Sequence, residues 1–324
     1  MPSATGRGFG ILTTSLMCCM IASCRSTHPL VVAVVPETTA REVWESEHAG
    51  AERAAHALGW SIYWNGPSRE DDVARQIQIV NSAIARHVTG LILSPDHAVA
   101  LISPVRSALA QGIPTVIVGS PLAIAPGGKL FFVTNDDAAT GRLATQPLLG
   151  HLKADDIVAV LGVNPNIIGQ IERANAIEDS IQHTFPGVKV IERRSTSFAF
   201  SEAEETAEET VRTTPKLRAI ITLDIIDTRA ASFAVIGSHA RGRILLIGCD
   251  QDLDLVRQLR MGNIDALVAQ NTFVMGYDAV QLIASEHKGE PAEAKRTVLP
   301  ILVTRDNVDQ PEVQQVLDMN WRAY

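Results

Sequence analysis

The sequence predicts an α/β fold in which parallel sheets are covered on both faces by helices. Three observations carry this. Short apolar runs of strand length alternate with amphipathic helical stretches from Leu30 to the last fifth of the chain. Several of the runs are apolar throughout, as a strand buried on both faces must be. The layout also restarts after Asp136, so two series of similar order follow one another. About ten strands of this kind suit one sheet, two sheets or a closed (β/α)8 barrel. The similar layout of the two series favours two like lobes.

The elements follow in order. Leu30–Val35 is apolar and β-branched, hence a strand. Trp44–Leu58 is helical and stopped by Gly59. Ser61–Trp64 is a strand. Asp71–His87 carries Val73, Ile77, Val80 and Ile84 at helical spacing. Leu91–Leu93 is a strand ending at Ser94, Val99–Gln111 a helix stopped by Gly112, and Thr115–Val118 a strand ending at Gly119-Ser120. Leu130–Thr134 is a further strand. In the second series Ala138–Leu152 is helical, Ile157–Leu161 a strand, Ile167–Gln182 a helix and Lys189–Ile191 a strand. Ser201–Arg212 is an acidic, solvated helix. Ala219–Leu223 is a strand ending at Asp224, and Thr228–Ser238 a helix. Thr272–Glu286 is helical, Thr297–Val303 a late strand and Glu312–Met319 a helical tail.

The stretch from Ile244 to Gln270 shows most plainly how such a fold delivers chemistry. Ile244–Cys249 and Ala266–Ala269 are buried strands, each followed by one polar side chain, Asp250 and Gln270. Ligands of open parallel sheets bind beyond the carboxyl ends of the strands. Two hydrogen-bonding groups placed there suit a polar, uncharged ligand, although Asp250 could equally cap the helix starting near Leu253.

Composition sets outer bounds. The 324 residues are 46% hydrophobic and 20% charged, enough for one large domain or two lobes with ample core. The net charge of −8 and the scattered Lys and Arg give no basic patch for nucleic acid. The first residues read as a signal peptide: Arg7, then a mostly apolar run from Phe9 to Ala22 too short to span a bilayer. Ile21-Ala22-Ser23-Cys24 resembles the bacterial lipobox, so residues 1–23 are expected to leave and Cys24 to carry the lipid anchor. Cys249 then has no internal disulfide partner and reads as a small apolar side chain. The sequence lacks a G-x-S-x-G elbow, a G-x-G-x-x-G after a strand and a P-loop, so no cofactor is expected. The nine His show no metal spacing and read as surface residues. Asp224 and Asp250 are the pair an enzyme would use for acid–base work, but nothing marks either as proton donor or nucleophile.

These pieces, in their order, resemble the ribose/galactose-type sugar-binding proteins of ABC transport systems, whose fold is shared with LacI-type effector domains. The landmarks are His48-Ala49-Gly50-Ala51, Gly90-Leu91-Ile92-Leu93-Ser94-Pro95, Gly112-Ile113-Pro114-Thr115-Val116, Val133-Thr134-Asn135-Asp136 with Gly141, and Glu172-Arg173. Ile247-Gly248-Cys249-Asp250 and the closing Leu302-Val303-Thr304-Arg305-Asp306-Asn307-Val308-Asp309 complete them. The resemblance implies ten ligand positions. Trp44 and Phe198 would stack on the apolar face of a sugar. Arg41, Ser94, Ser120, Asn135, Arg173, Asp224, Asp250 and Gln270 would meet its hydroxyls. Arg41 and Arg173 against Asp224 and Asp250 make a balanced pocket, which favours a neutral ligand.

The resemblance further implies two doubly wound lobes joined by a three-strand hinge. They would comprise residues 29–134 plus 272–293, and 135–271 plus 294–324, with crossings near 135, 271 and 293. The expected activity is that of a monomeric, non-enzymatic periplasmic lipoprotein. It would close on a monosaccharide or related polyol and present it to an ABC permease. A sugar-sensing subunit serving a receptor, and a carboxylate-based sugar-processing enzyme using Asp224 and Asp250, are the alternatives. A repressor is disfavoured, because no helix-turn-helix precedes Leu30.

Overall fold

The computed structural model describes residues 30–318; the expected signal peptide and Cys24 lie outside them. The first series forms β1 (Val31–Val35), α1 (Glu42–Leu58), β2 (Ser61–Trp64), α2 (Val73–Ala85), β3 (Gly90–Leu93), α3 (Ile102–Ala110), β4 (Thr115–Gly119) and β5 (Leu130–Asn135). The second forms α4 (Asp137–Thr145), β6 (Ile157–Val163), α5 (Ile168–Thr184), β7 (Lys189–Arg194), α6 (Phe200–Thr213), β8 (Leu217–Thr222), α7 (Ile225–Gly237), β9 (Leu245–Cys249), α8 (Leu253–Arg260) and β10 (Ala266–Ala269). The chain then returns through α9 (Thr272–Lys288) and β11 (Lys295–Val298), and ends with β12 (Ile301–Thr304) and α10 (Pro311–Leu317).

Two six-stranded sheets result, ordered β11-β5-β4-β3-β1-β2 and β12-β10-β9-β8-β6-β7. There is no closed barrel among the described residues. Within each lobe the first strand lies between the second and third, so the strand order reverses beside β1 and beside β6. That reversal opens a crevice at the carboxyl ends of the strands. The apolar runs are explained by burial on both faces. Val32 and Val34 of β1 enter one core cluster while Ala33 and Val35 enter another. Val158 and Val160 of β6 are likewise separated from Ala159 and Leu161.

Helix α9 follows the second lobe in sequence but packs on the first. Its contact with α1 rests on two glycines. A Cβ at Gly50 would lie 1.9 Å from the Phe273 carbonyl oxygen, and one at Gly276 would lie 2.1 Å from that of Glu47. The two backbones therefore touch, which no larger side chain permits.

Two expected elements are corrected. The helix expected over Ala138–Leu152 stops at Thr145 and gives way to a 3-10 turn, Gln146–Leu148. Pro147 sits in that turn, and its missing N–H and ring clash prevent a longer helix. The single late strand expected over Thr297–Val303 is two strands in different sheets. β11 runs parallel to β5, and β12 runs antiparallel to β10. Leu299-Pro300 makes the passage between them, so the third crossing lies there and not near 293. Residues 295–298 accordingly pair in the first sheet.

The lobes meet across the crevice. The Gly169 N–H donates to Ser120 Oγ at 3.1 Å, the Leu253 N–H to Glu42 Oε2 at 3.3 Å, and the Ala98 N–H to the Asn166 carbonyl at 2.9 Å.

Candidate functional site

An interlobe cavity lies where the carboxyl ends of both sheets face each other. It holds about 740 Å³ not filled by protein atoms, its mouth included, within the range of small-molecule sites. Eight of the ten residues singled out from the sequence line it: Trp44, Ser120, Asn135, Arg173, Phe198, Asp224, Asp250 and Gln270. They arrive from the strand ends β4, β5, β8, β9 and β10, from α1 and α5, and from the loop before α6.

Arg173 is the electrostatic centre. Its Nε donates to Asp137 Oδ1 at 2.7 Å. Its Nη1 donates to the Leu223 carbonyl at 3.0 Å and to Asp250 Oδ1 and Oδ2 at 3.1 and 3.2 Å. Burial alone would favour the neutral guanidine, but Asp250 and Asp137 outweigh it and hold the charge more firmly than usual. Burial likewise pushes the Asp250 carboxyl up, and Arg173 opposes it. Asp250 also has φ 65°, in the left-handed region. Its N–H is held by the Val268 carbonyl at 2.9 Å. An L-residue held there carries backbone strain of the kind that gathers at functional sites. Asp250 does not cap the following helix; Asp252 does, accepting from the Leu255 N–H. Asp224 both lines the cavity and caps α7, its Oδ1 accepting from the Asp227 N–H at 2.9 Å.

Gln270 is clamped by its neighbours. Its backbone exchanges two hydrogen bonds with the side chain of Gln251, at 2.9 and 2.8 Å. Its Nε2 donates to Thr140 Oγ1, whose own proton goes to the Asp136 carbonyl. This fixes the amide orientation and leaves Oε1 without a partner. Trp44 Nε1, Asn135 Oδ1 and Asp137 Oδ2 are also buried and unpartnered. Such groups are costly to leave unsatisfied and are met, in a binding site, by a ligand.

Arg41 and Ser94 do not reach the cavity. Arg41 turns into a groove at the lobe seam with Arg229 and Asp252, and its Nε stands 3.5 Å from Glu70 Oε2. Ser94 is fully buried and donates to Glu47 Oε2 at 2.9 Å. The charge balance drawn from Arg41 therefore does not hold. In its place the structure adds Glu37, Glu70 and Asp137 to the lining. Burial raises Glu37 well above its ordinary value, reinforced by Asp96, Glu70, Asp250 and Glu47. Burial also lifts Glu70 to about 7, with Arg41 opposing. Glu37 follows β1 and Asp137 opens α4. Both were legible as strand-end or helix-start carboxyls, but neither spacing nor resemblance marked them. His48, expected at the surface, is buried and stacked on Trp64 at 4.3 Å. Among the described residues no cluster of three or more His, Cys, Asp or Glu could hold a metal. Nor is any helix there long and apolar enough to cross a membrane.

Comparison with known proteins agrees with this fold. Residues 32–291 match the periplasmic binding protein domain family. The chain belongs to that family. Among curated relatives of this periplasmic binding protein, the D-allose-binding periplasmic protein of Escherichia coli is 24% identical over 286 residues, covering 84% of this chain and 91% of the relative. The D-apiose import binding protein of Paraburkholderia graminis is 26% identical over 253 residues, covering 78% and 79%. Among solved structures, a carbohydrate transporter solute binding protein from Agrobacterium radiobacter in complex with D-arabinose superposes with a TM-score of 0.83. It is 24% identical, and the match covers 90% of this chain and 100% of that one.

Proposed function

We propose that this periplasmic binding protein captures a monosaccharide or related polyol between its lobes and delivers it to an ABC permease, without chemical turnover. One observation carries the reading. Trp44, Phe198, Arg173, Asp250 and Gln270 converge from both lobes on one cavity, with hydrogen-bonding atoms left open to a ligand. An aromatic ring suits the C–H face of a sugar, while carboxylates, amides and a guanidinium suit hydroxyls that both donate and accept. Asp224 and Asp250 are each occupied, by the α7 cap and by Arg173, so neither stands as a free acid–base group. The names of the curated relatives, binding proteins for D-allose, D-apiose and xylitol, support the ligand class. Attachment through a lipidated Cys24 and a monomeric state belong to the same proposal. Isothermal calorimetry against a panel of pentoses, hexoses and alditols tests it. Saturable heat with unchanged ligand recovered afterwards is the expected result. A flat response across the panel, or a chemically altered sugar, defeats it.

A further inference from the structure

Carboxyl groups outnumber cations around the cavity. Five carboxyl side chains line it, Glu37, Glu70, Asp137, Asp224 and Asp250, against one lining guanidinium, Arg173. That guanidinium is already committed to Asp137 and Asp250. Glu70 has Arg41 at 3.5 Å from outside the cavity, and Asp224 has the α7 N-terminus. Among the described residues Glu37 has no such neighbour: the four groups that bear on it most, Asp96, Glu70, Asp250 and Glu47, are all carboxyls.

An independent observation points the same way. Three of the four buried, unpartnered side-chain atoms on the cavity wall can only accept: Asn135 Oδ1, Asp137 Oδ2 and Gln270 Oε1. Asp137 and Gln270 are each 2% exposed. The occupant that meets both the missing charge and the missing donors carries several N–H protons and a positive charge at one end.

We infer that the ligand is an aminated sugar or amino-polyol, whose ammonium sits among Glu37, Glu70 and Asp250 while its hydroxyls take the remaining contacts. The inference rests on the sugar-binding reading above and narrows its ligand class. A protonated amine supplies three donors and no acceptor, complementary to a carboxyl-lined wall. A buried charge is tolerated only when so paired.

The test measures affinity by calorimetry at pH 7 for D-glucosamine, D-galactosamine and 1-amino-1-deoxy-D-sorbitol, beside glucose, galactose and sorbitol. The expected result is at least tenfold tighter binding of one amine than of its hydroxyl counterpart. In Glu37→Gln that ratio should fall by about tenfold, with circular dichroism reporting on folding. Replacing the amine by its N-acetyl form, which removes the charge, should abolish the preference in the wild-type protein. Equal or tighter binding of the neutral sugars overturns the inference and leaves the sugar reading standing. Absence of binding by both sets overturns the inference, and a flat response to the pentoses and other alditols as well overturns the sugar reading with it.

Discussion

Arg173 ties three parts of the second lobe together: the α4 start through Asp137, the β8 end through the Leu223 carbonyl, and the β9 end through Asp250. Replacing it by Met leaves two carboxylates buried without their cation. Removing one partner of a buried pair costs about 3–5 kcal/mol, and urea denaturation of Arg173→Met should show a loss of that size together with loss of sugar binding. A midpoint unchanged from wild type would mean that the carboxylates find other partners. Glu47 gives a second residue-scale expectation, in pH. It is fully buried, one oxygen accepting from Ser94 and the other without a partner. Burial lifts it from 4.5 to about 8, although the Ser94 hydrogen bond opposes this. A carboxyl with a raised folded value stabilises the fold below its unfolded value and loses that contribution as pH climbs towards the folded one. Stability should therefore fall between pH 5 and 8, by a few kcal/mol at most from this group. Asp96, raised to about 8, and Asp227, raised to about 9, both chiefly by burial, add slope of the same sign. In Glu47→Gln the decline in denaturation midpoint from pH 5 to pH 8 should be shallower than in wild type. An equal slope would remove Glu47 from the account.

At the scale of elements, the strands were legible because burial on both faces writes itself as continuous apolar sequence, as in β1, β4 and β9. The end of α1 was legible in Gly59, which adopts the left-handed cap. Two things escaped. The split between β11 and β12 depends on which sheet edge each half meets, and Thr297–Val303 reads as one run despite Pro300. The reach of each side chain into the cavity also depends on rotamer and neighbour. Ser94 lies at a strand end as expected, yet its hydroxyl turns to Glu47. Glu37 lies in a loop with no motif and yet faces the cavity. The α1–α9 contact was half legible, since Gly50 was one of the landmarks while Gly276 was not. A side chain at either position must push the two helices apart. Gly276→Val should cost at least 1–3 kcal/mol, the usual penalty for overpacking, visible as a lowered thermal midpoint. An unchanged midpoint would show that the helices can separate freely.

The whole molecule turns on two sheets joined by three passages, beyond β5, between β10 and α9, and between β11 and β12. Among the described residues few hydrogen bonds cross the crevice apart from these passages, so in the proposed closure a ligand would have only small differences to tip. The Glu42–Leu253 hydrogen bond isolates that effect, because neither residue lines the ligand cavity. Glu42→Ala removes a bond made only when the lobes touch, and the net value of such a bond is about 0.5–1.5 kcal/mol. Since a ligand's apparent affinity is reduced by the fraction of molecules able to close on it, the variant should bind sugar about two- to tenfold more weakly. The loss should appear as faster dissociation, with every ligand contact intact. Small-angle scattering should show the wild-type radius of gyration falling on ligand addition, and the variant reaching the same value at higher ligand concentration. If the radius does not change with ligand in either protein, the lobes do not move and affinity is set by the cavity wall alone.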